Sequence, residues 1–298
     1  MIPETRTPTP GWKQTMTPER QPPQLDDSAE PLRWQSQSLC LGVLPVCGAW
    51  LILFANQFWT PATIEGLAVC AVFGLLVWRL RAATGPAAVT GFALTSVIYL
   101  ATVQQTRGGW WHTALPAGLA LFIMAFLATR FRRESKEQLG TAESRSGRRA
   151  GQIVANLGVA SLAGIFLLSH PIGGLAAMVA ALAEATADTT SSEIGQVLGG
   201  SPRLVTTFRR VSAGTDGAVS MVGTAAGIVA SLLVVLVAVP SLELTPRVAL
   251  ISWSGGIFGL FFDSLLGATL ERRGLLNNDA VNFLSTAAAA VVAGMAAR

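Results

Sequence analysis

Long apolar stretches alternate with short polar ones along most of the chain. A helix needs about 20 mostly apolar residues to cross a bilayer core. Stretches near this length lie at 39–56, 61–78, 86–103, 113–129, 151–168, 171–188, 215–239, 247–270 and 281–297. Because lipid offers no hydrogen bonds to the backbone, each stretch predicts a helix. The pattern predicts an all-α fold, a polytopic integral membrane bundle of about nine transmembrane helices.

The polar stretches carry basic residues unevenly. If the N-terminus is cytoplasmic, one side receives only Arg107, Arg247 and Arg298. The cytoplasmic loops then hold Arg79, Arg81, Arg130, Arg132, Arg133, Lys136, Arg145, Arg148, Arg149, Arg203, Arg209, Arg210, Arg272 and Arg273. An excess of Lys and Arg marks cytoplasmic loops. We therefore expect a multi-pass protein with a cytoplasmic N-terminus and an odd number of spans.

Composition agrees with a lipid bilayer as the main partner. Hydrophobic residues make up 51% of the chain and charged residues 13%, about half the charged fraction of a soluble domain. The net charge of +4 follows from topology, so no nucleic-acid partner is expected. Residues 1–38, rich in Pro, Thr and Gln, predict a disordered cytoplasmic tail, which leaves 39–298 as the transmembrane domain. The pattern leaves the oligomeric state open.

Acidic residues at the end of the sixth apolar stretch are the first candidates for a site. The segment "EATADTTSSEIGQ" contains Glu184, Asp188 and Glu193. Ionisable residues in or near a span are costly and often functional. Glu184 and Asp188 share one helix face, whereas Glu193 is rotated from it by about 100°.

A glycine-rich turn precedes the seventh stretch. In "SAGTDGAVS", Thr215 or Asp216 is a candidate helix cap, and Gly214 and Gly217 allow close approach of the backbone to a ligand. A helix N-terminus beside such a turn suits phosphate. An ordinary capped turn explains the same residues equally well.

The eighth stretch contains Asp263 on the same face as Gly256, Gly259 and Gly267. Small residues at this spacing permit close helix packing, but an aspartate among them indicates a function. The segment "NNDAVN" follows, and in it Asn278 or Asp279 could cap the ninth helix.

By topology, these carboxylates meet at one membrane face. Oxygen ligands suit Mg²⁺ or Mn²⁺, which bind one or two carboxylates together with phosphate oxygens. Carboxylates, cations and a helix N-terminus are the usual components of phosphoryl transfer. His112 and His170 fall on the opposite side, so the chemistry would not use them.

Four segments in order resemble one membrane protein family, which includes transmembrane protein 19 and the plant and cyanobacterial phytyl-phosphate kinases. They are "TRFRRESKEQLGTAESRSGRRAGQIVANLG", "EATADTTSSEIGQ", "PRLVTTFRRVSAGTDGAVSMVGTAAG", and "DSLLGATLE" with "NNDAVNFLST". The resemblance covers roughly residues 60–297 and implies transfer of a phosphoryl group from a nucleoside triphosphate to a prenyl monophosphate. The family's Thr-Lys pair is Thr129–Arg130 here.

The resulting hypothesis is a prenyl-phosphate kinase with its catalytic half at 129–298. Asp188, Asp216 and Asp263 would hold Mg²⁺ or Mn²⁺, supported by Glu184 and Glu193, and the isoprenoid tail would lie between Gly-lined helices. CTP, ATP or UTP would be the co-substrate. The residues expected to bind phosphate or nucleotide are Lys136, Arg203, Thr206, Thr207, Arg209, Gly214, Thr215, Gly217, Asn277 and Asn278.

Three alternatives remain open. The chain could phosphorylate a lipid alcohol or act as a phosphoalcohol or nucleotidyl transferase. It could be a transporter, although transporter sites usually lie near the bilayer midplane. A scaffold protein is the third alternative, and it would not need the polar residues.

Overall fold

The computed structural model describes residues 32–57, 59–103 and 109–298. From Leu32 onward these residues form one compact unit. Residues 33–38, predicted as part of the tail, are helical, because the first helix begins at Arg33. Residues 1–31 of the predicted tail, and Arg107, lie outside the described residues.

The described residues are mainly helical. Ten α-helices follow one another: α1 (Arg33–Gln57), α2 (Pro61–Arg79), α3 (Gly85–Val103), α4 (Leu115–Arg130), α5 (Arg133–Leu139), α6 (Ala150–Phe166), α7 (Pro171–Leu198), α8 (Met221–Ser241), α9 (Pro246–Leu266) and α10 (Asn278–Ala296). Two short strands, β1 (Arg203–Leu204) and β2 (Ala218–Val219), pair in antiparallel fashion. A short 3-10 helix covers Trp110–His112, and a π-helical turn covers Gly267–Glu271.

The all-α membrane architecture is confirmed, but the number of spans is not. Nine of the helices match the predicted apolar stretches, with α5 as a short addition. Seven are long and apolar enough to cross a membrane, or eight if α4 and α5, bent by 62°, form one broken span. α6 is apolar but shorter than the others.

Helix α7 lies at the centre of the bundle and packs against α4, α6, α8, α9 and α10. Its middle is built of small residues, and from Ala176 to Ala187 almost every side chain is buried. On α9, a Cβ added at Gly256 would lie 2.8 Å from Ala183, and one added at Gly259 would collide with Glu184. The predicted glycine seam is therefore a close helix contact with no room for a lipid chain.

Two helix boundaries differ from the prediction and affect the site. α7 continues to Leu198, so Asp188 and Glu193 lie within a helix and not at its end. α8 begins at Met221, and its cap is Ser220, which accepts a hydrogen bond from Gly223 N at 3.1 Å. Thr215 and Asp216 are therefore not caps, because a β-hairpin occupies the segment before the helix.

The helices alternate in direction, and this brings the basic segments to one end of the bundle. The N-terminal ends of α6, α8 and α10 meet the C-terminal ends of α7 and α9 around one cavity. His170 precedes α7, and the Trp110–His112 turn precedes α4, so both histidines lie at the opposite end. The structure thus separates the two ends as the distribution of charge predicted.

Candidate functional site

A polar cavity of about 410 Å³ opens at the basic end of the bundle. Its walls come from the loop after α5, the first turns of α6 and α10, the last turns of α7 and α9, and the segment before α8. Of the predicted residues, those lining it are Asp188, Glu193, Gly214, Thr215, Asp216, Gly217, Asp263 and Asn278. Segments far apart in the sequence therefore contribute to one space.

Asp188 and Asp263 form the acidic centre of this cavity. Their carboxyl groups interact directly across the α7–α9 interface. Glu184 lies one helical turn below Asp188 and is 1% exposed, so it supports the wall without reaching the cavity. Ser285 of α10 contacts both Glu184 and Asp263. Oε1 of Glu184 and Oδ1 of Asp263 are buried and have no hydrogen-bond partner among the described residues.

The glycine-rich turn forms the rim next to this centre. Gly217 has a φ of +69°, and a Cβ there would collide with the backbone of Ala268. Gly214 has a φ of +82° and lies against Thr141. Glycine is required at both positions, because other residues disfavour this φ and lack the space. These contacts place Asp216 at the rim, where desolvation raises the pKa of its carboxyl group and the Arg272 charge lowers it.

Several cavity residues were not predicted from the sequence, among them four that bear on the chemistry. Glu271 reaches the cavity because the π-helical turn at the end of α9 changes the direction of its last residues. Arg148, Asn156 and Asn282 come from the segment before α6 and from the first turns of α6 and α10. The position of Glu271, directly after an apolar span and within a segment that resembles the family, was the available signal.

Lys136 does not reach the cavity as predicted. It is fully buried, and its Nζ donates to the carbonyl oxygens of Ala128 (2.7 Å) and Thr129 (3.1 Å) and to Glu193 Oε2 (2.5 Å). Thr129 Oγ1 donates to the other oxygen of Glu193 at 3.1 Å. All three Lys136 protons and both Glu193 oxygens are engaged, so this pair joins α5 to α4 and α7.

The segment from Arg203 to Arg209 lies away from the cavity, unlike the Gly214–Gly217 turn that precedes β2. Arg203, Thr206, Thr207 and Arg209 are exposed and do not line it. Arg203 donates from Nη1 to Phe208 O at 2.9 Å, which stabilises the hairpin itself. The sequence prediction placed these residues at the phosphates because it assumed a short loop running directly into a helix.

Asn277 has a structural position. Its Oδ1 accepts from Ala280 N at 2.9 Å and so caps α10, a position the prediction gave to Asn278 or Asp279. Its Nδ2 donates to Leu32 O and Ser36 Oγ, both at 2.9 Å, which ties α10 to α1. Of the two asparagines Asn277 and Asn278, only Asn278 lines the cavity.

The donor set fits a divalent cation in part. Among the described residues, no group of three carboxylate, His or Cys side chains is placed to hold one ion. The five predicted carboxylates therefore do not form one coordination sphere. Asp188 and Asp263 do provide adjacent oxygens, one of them unpaired. Mg²⁺ commonly binds one or two carboxylates and completes its shell with phosphate and water, so this pair suits Mg²⁺ together with a phosphorylated ligand.

Comparison with known proteins identifies the family. The model for "Integral membrane protein DUF92" matches residues 68–290, most of the described bundle. The chain therefore belongs to this family of integral membrane proteins, and the resemblance drawn from the four segments is confirmed.

Individual relatives agree with this assignment. The chain is 30% identical over 244 residues to the chloroplast protein VTE6 of Arabidopsis thaliana, covering 78% of this chain and 65% of VTE6. It is 35% identical to an uncharacterised membrane protein of Methanocaldococcus jannaschii, covering 58% of this chain and 72% of that protein. A similar protein of Synechocystis sp. is 34% identical, covering 59% and 70% of the two chains. No solved structure matches.

Proposed function

We propose that this protein is a prenyl-phosphate kinase, which transfers the γ-phosphoryl group of a nucleoside triphosphate to an isoprenoid monophosphate. The observation that carries the proposal is the acidic pair Asp188–Asp263 in a polar cavity at the basic end of a membrane bundle. Family membership and the similarity to VTE6 support it. By the positive-inside rule, the cavity faces the cytoplasm.

The residues around the cavity have different roles in the proposed phosphoryl transfer. An oxygen of the acceptor phosphate attacks the γ-phosphorus, the bond to the bridging oxygen breaks, and the nucleoside diphosphate leaves. The acceptor oxygen is already anionic, so no histidine or other strong base is needed. Asp188 and Asp263 would hold Mg²⁺, which would neutralise charge on the transferred group. The Gly214–Gly217 turn and Asn278 would position the nucleotide, and Arg148 would hold the acceptor phosphate.

The direct test uses the purified full chain with Mg²⁺ and γ-labelled ATP, CTP or UTP. With at least one of the three nucleotides, we expect labelled prenyl diphosphate to form. Its amount should equal the amount of nucleoside diphosphate released. Absence of diphosphate with all three nucleotides, across geranyl, farnesyl, geranylgeranyl and phytyl monophosphates, would contradict the proposal.

Free prenyl alcohols are the matched control. A lipid-alcohol kinase would phosphorylate them, and a transferase of the nucleotidyl class would release pyrophosphate in place of the nucleoside diphosphate. Flux of substrate across proteoliposomes without nucleotide would instead identify a transporter. Each of these outcomes would replace the proposed reaction with a named alternative.

A further inference from the structure

A second, larger cavity lies beside the polar one. It measures about 660 Å³ and is lined mainly by α2, α3, α4 and α6. Most of its lining is apolar and includes Phe73, Val77, Ile98, Leu121 and Phe122. Sites for one small organic ligand span about 300–1,000 Å³, so this space suits a single apolar chain of moderate length.

The two cavities meet at a polar boundary. Glu143, Ser144, Arg148 and Asn156 line both of them. Asn156 is 6% exposed, and its Oδ1 has no hydrogen-bond partner among the described residues. A buried polar atom without a partner is costly. This oxygen is an acceptor, because the Asn156 amide nitrogen already donates to Gln152 O at 2.8 Å. The ligand group that would satisfy it carries a donor, such as the O–H of a singly protonated phosphate.

Arg148 is the cation available at the same boundary. Arg133 and Arg145 line only the larger cavity and share one carboxylate, each lying 3.1 Å from Glu137 Oε1. Arg148 makes no ion pair within 4.0 Å among the described residues, and its Nη2 is 3.5 Å from Thr189 Oγ1. The Arg148 charge acts on the nearby Asp188 carboxyl group without a direct ion pair, so its guanidinium keeps donors free for a phosphate.

We propose that the larger cavity holds the isoprenoid chain of the acceptor, with its phosphate at Arg148 and Asn156 and facing the polar cavity. This inference rests on the proposed function and adds the position of the chain. An anionic head at the boundary and an apolar body in the α2–α3–α4–α6 space match the chemistry of a prenyl monophosphate. The size of the cavity favours one chain over the two of a bilayer phospholipid.

The depth of this cavity would set the accepted chain length. It follows α4 from Leu115 to Arg130, about 22 Å at the rise of an α-helix. Two glycines line it at different depths. Gly91 is about 9 Å along α3 from the polar end, and Gly118 is near the far end of α4. A Cβ at Gly91 would lie 3.9 Å from Ile153, and one at Gly118 would meet nothing within 4 Å.

The kinetic test uses Gly91→Leu and Gly118→Leu, with Gly42→Leu as control. Gly42 lies in α1, away from the cavity, with nothing within 4 Å of an added Cβ. We expect Gly91→Leu to lower kcat/KM for farnesyl and geranylgeranyl monophosphate by about tenfold or more, and to affect geranyl monophosphate far less. Gly118→Leu should lower kcat/KM most for geranylgeranyl monophosphate. Gly42→Leu should leave kcat/KM unchanged for every acceptor. Equal losses at every length, or no loss, would overturn the inference.

A labelling experiment separates this inference from the proposed reaction. The full chain in phosphatidylcholine nanodiscs is cross-linked with photoreactive geranylgeranyl monophosphate, and the labelled peptides are identified. We expect labels on α3 and α4, weaker in Gly91→Leu, and competition by unlabelled prenyl monophosphate but not by inorganic phosphate. Labels on other helices, or equal competition by phosphatidylglycerol, would overturn the chain site. Correct labels without any diphosphate product would overturn only the reaction.

Discussion

Two acidic regions of α7 lie about one turn apart and have opposite environments. At Glu193, the protein supplies its own compensation through Lys136 and Thr129. At Asp188, the nearest groups include two further carboxyl groups, those of Asp263 and Glu184. Both regions are largely buried, so exposure alone does not distinguish them.

This contrast separates structural acidic residues from those available to a ligand. A buried carboxylate whose oxygens are both engaged by protein donors and a matched cation links its helices, and breaking such a pair is costly. Carboxylates crowded together with unpaired oxygens, as at Glu184 and Asp263, carry a cost that a bound cation would relieve. The first region joins α4, α5 and α7, and the second is the candidate site.

Removing the cation of the first region should have the largest effect on stability. Lys136→Met leaves Glu193 as an unpaired buried charge, so the free energy of unfolding should fall by about 3–5 kcal/mol. The double variant Lys136→Met/Glu193→Gln should recover most of this loss, because no buried charge remains. The free energies of unfolding of both variants are measured in detergent, with circular dichroism as the probe of helix content. A single variant as stable as wild type would show that the pair is not structural.

Neutralising the second region should affect turnover and not folding. Asp188→Asn and Asp263→Asn should each reduce diphosphate formation by about 10²–10³-fold. Their melting temperatures should equal or exceed that of wild type, because each change removes repulsion between carboxylates. Product formation and thermal unfolding are measured on the same preparations. Normal turnover in either variant would remove that residue from the mechanism.

Mg²⁺ should distinguish the regions without any reaction. At a concentration of about 100 times its Kd, the ion should stabilise wild type by about 2.7 kcal/mol, and EDTA should reverse this. Asp188→Asn should abolish the stabilisation, whereas Lys136→Met/Glu193→Gln should retain it. The opposite result would place the ion at Glu193.

An arginine that lines the cavity and one in the exposed hairpin loop should differ in their effect on acceptor binding, by less than the variants above. Arg148→Gln should raise KM for the acceptor about tenfold, since a hydrogen bond to a charged group contributes about 1.5–3 kcal/mol. Arg209→Gln, in the exposed hairpin loop, should change stability by less than about 0.5 kcal/mol and leave KM unaltered. If Arg209→Gln raised KM as much, the hairpin would have to close over the cavity during the reaction.

Sequence reasoning predicted the fold better than it predicted the site. The apolar stretches located nine helices within a few residues at most ends, and the spacing of Glu184 and Asp188 placed both on one face of α7. It assigned Lys136, Arg203 and Arg209 to the phosphates because their charge and membrane side were visible, whereas their partners were not. Lys136 and Glu193 are 57 residues apart, and no local pattern links them.

The sequence alone indicates which segments enter the membrane, which end of the bundle is basic, and that Asp188 and Asp263 lie on apolar helices near that end. These properties follow from hydrophobicity, charge and helical period, which act locally. Tertiary structure decided which carboxylate receives a cation, that a π-helical turn brings Glu271 to the cavity, and that Arg148 and Asn156 border an apolar space. Those outcomes depend on which side chain of another helix lies opposite, and that is fixed only when the helices pack.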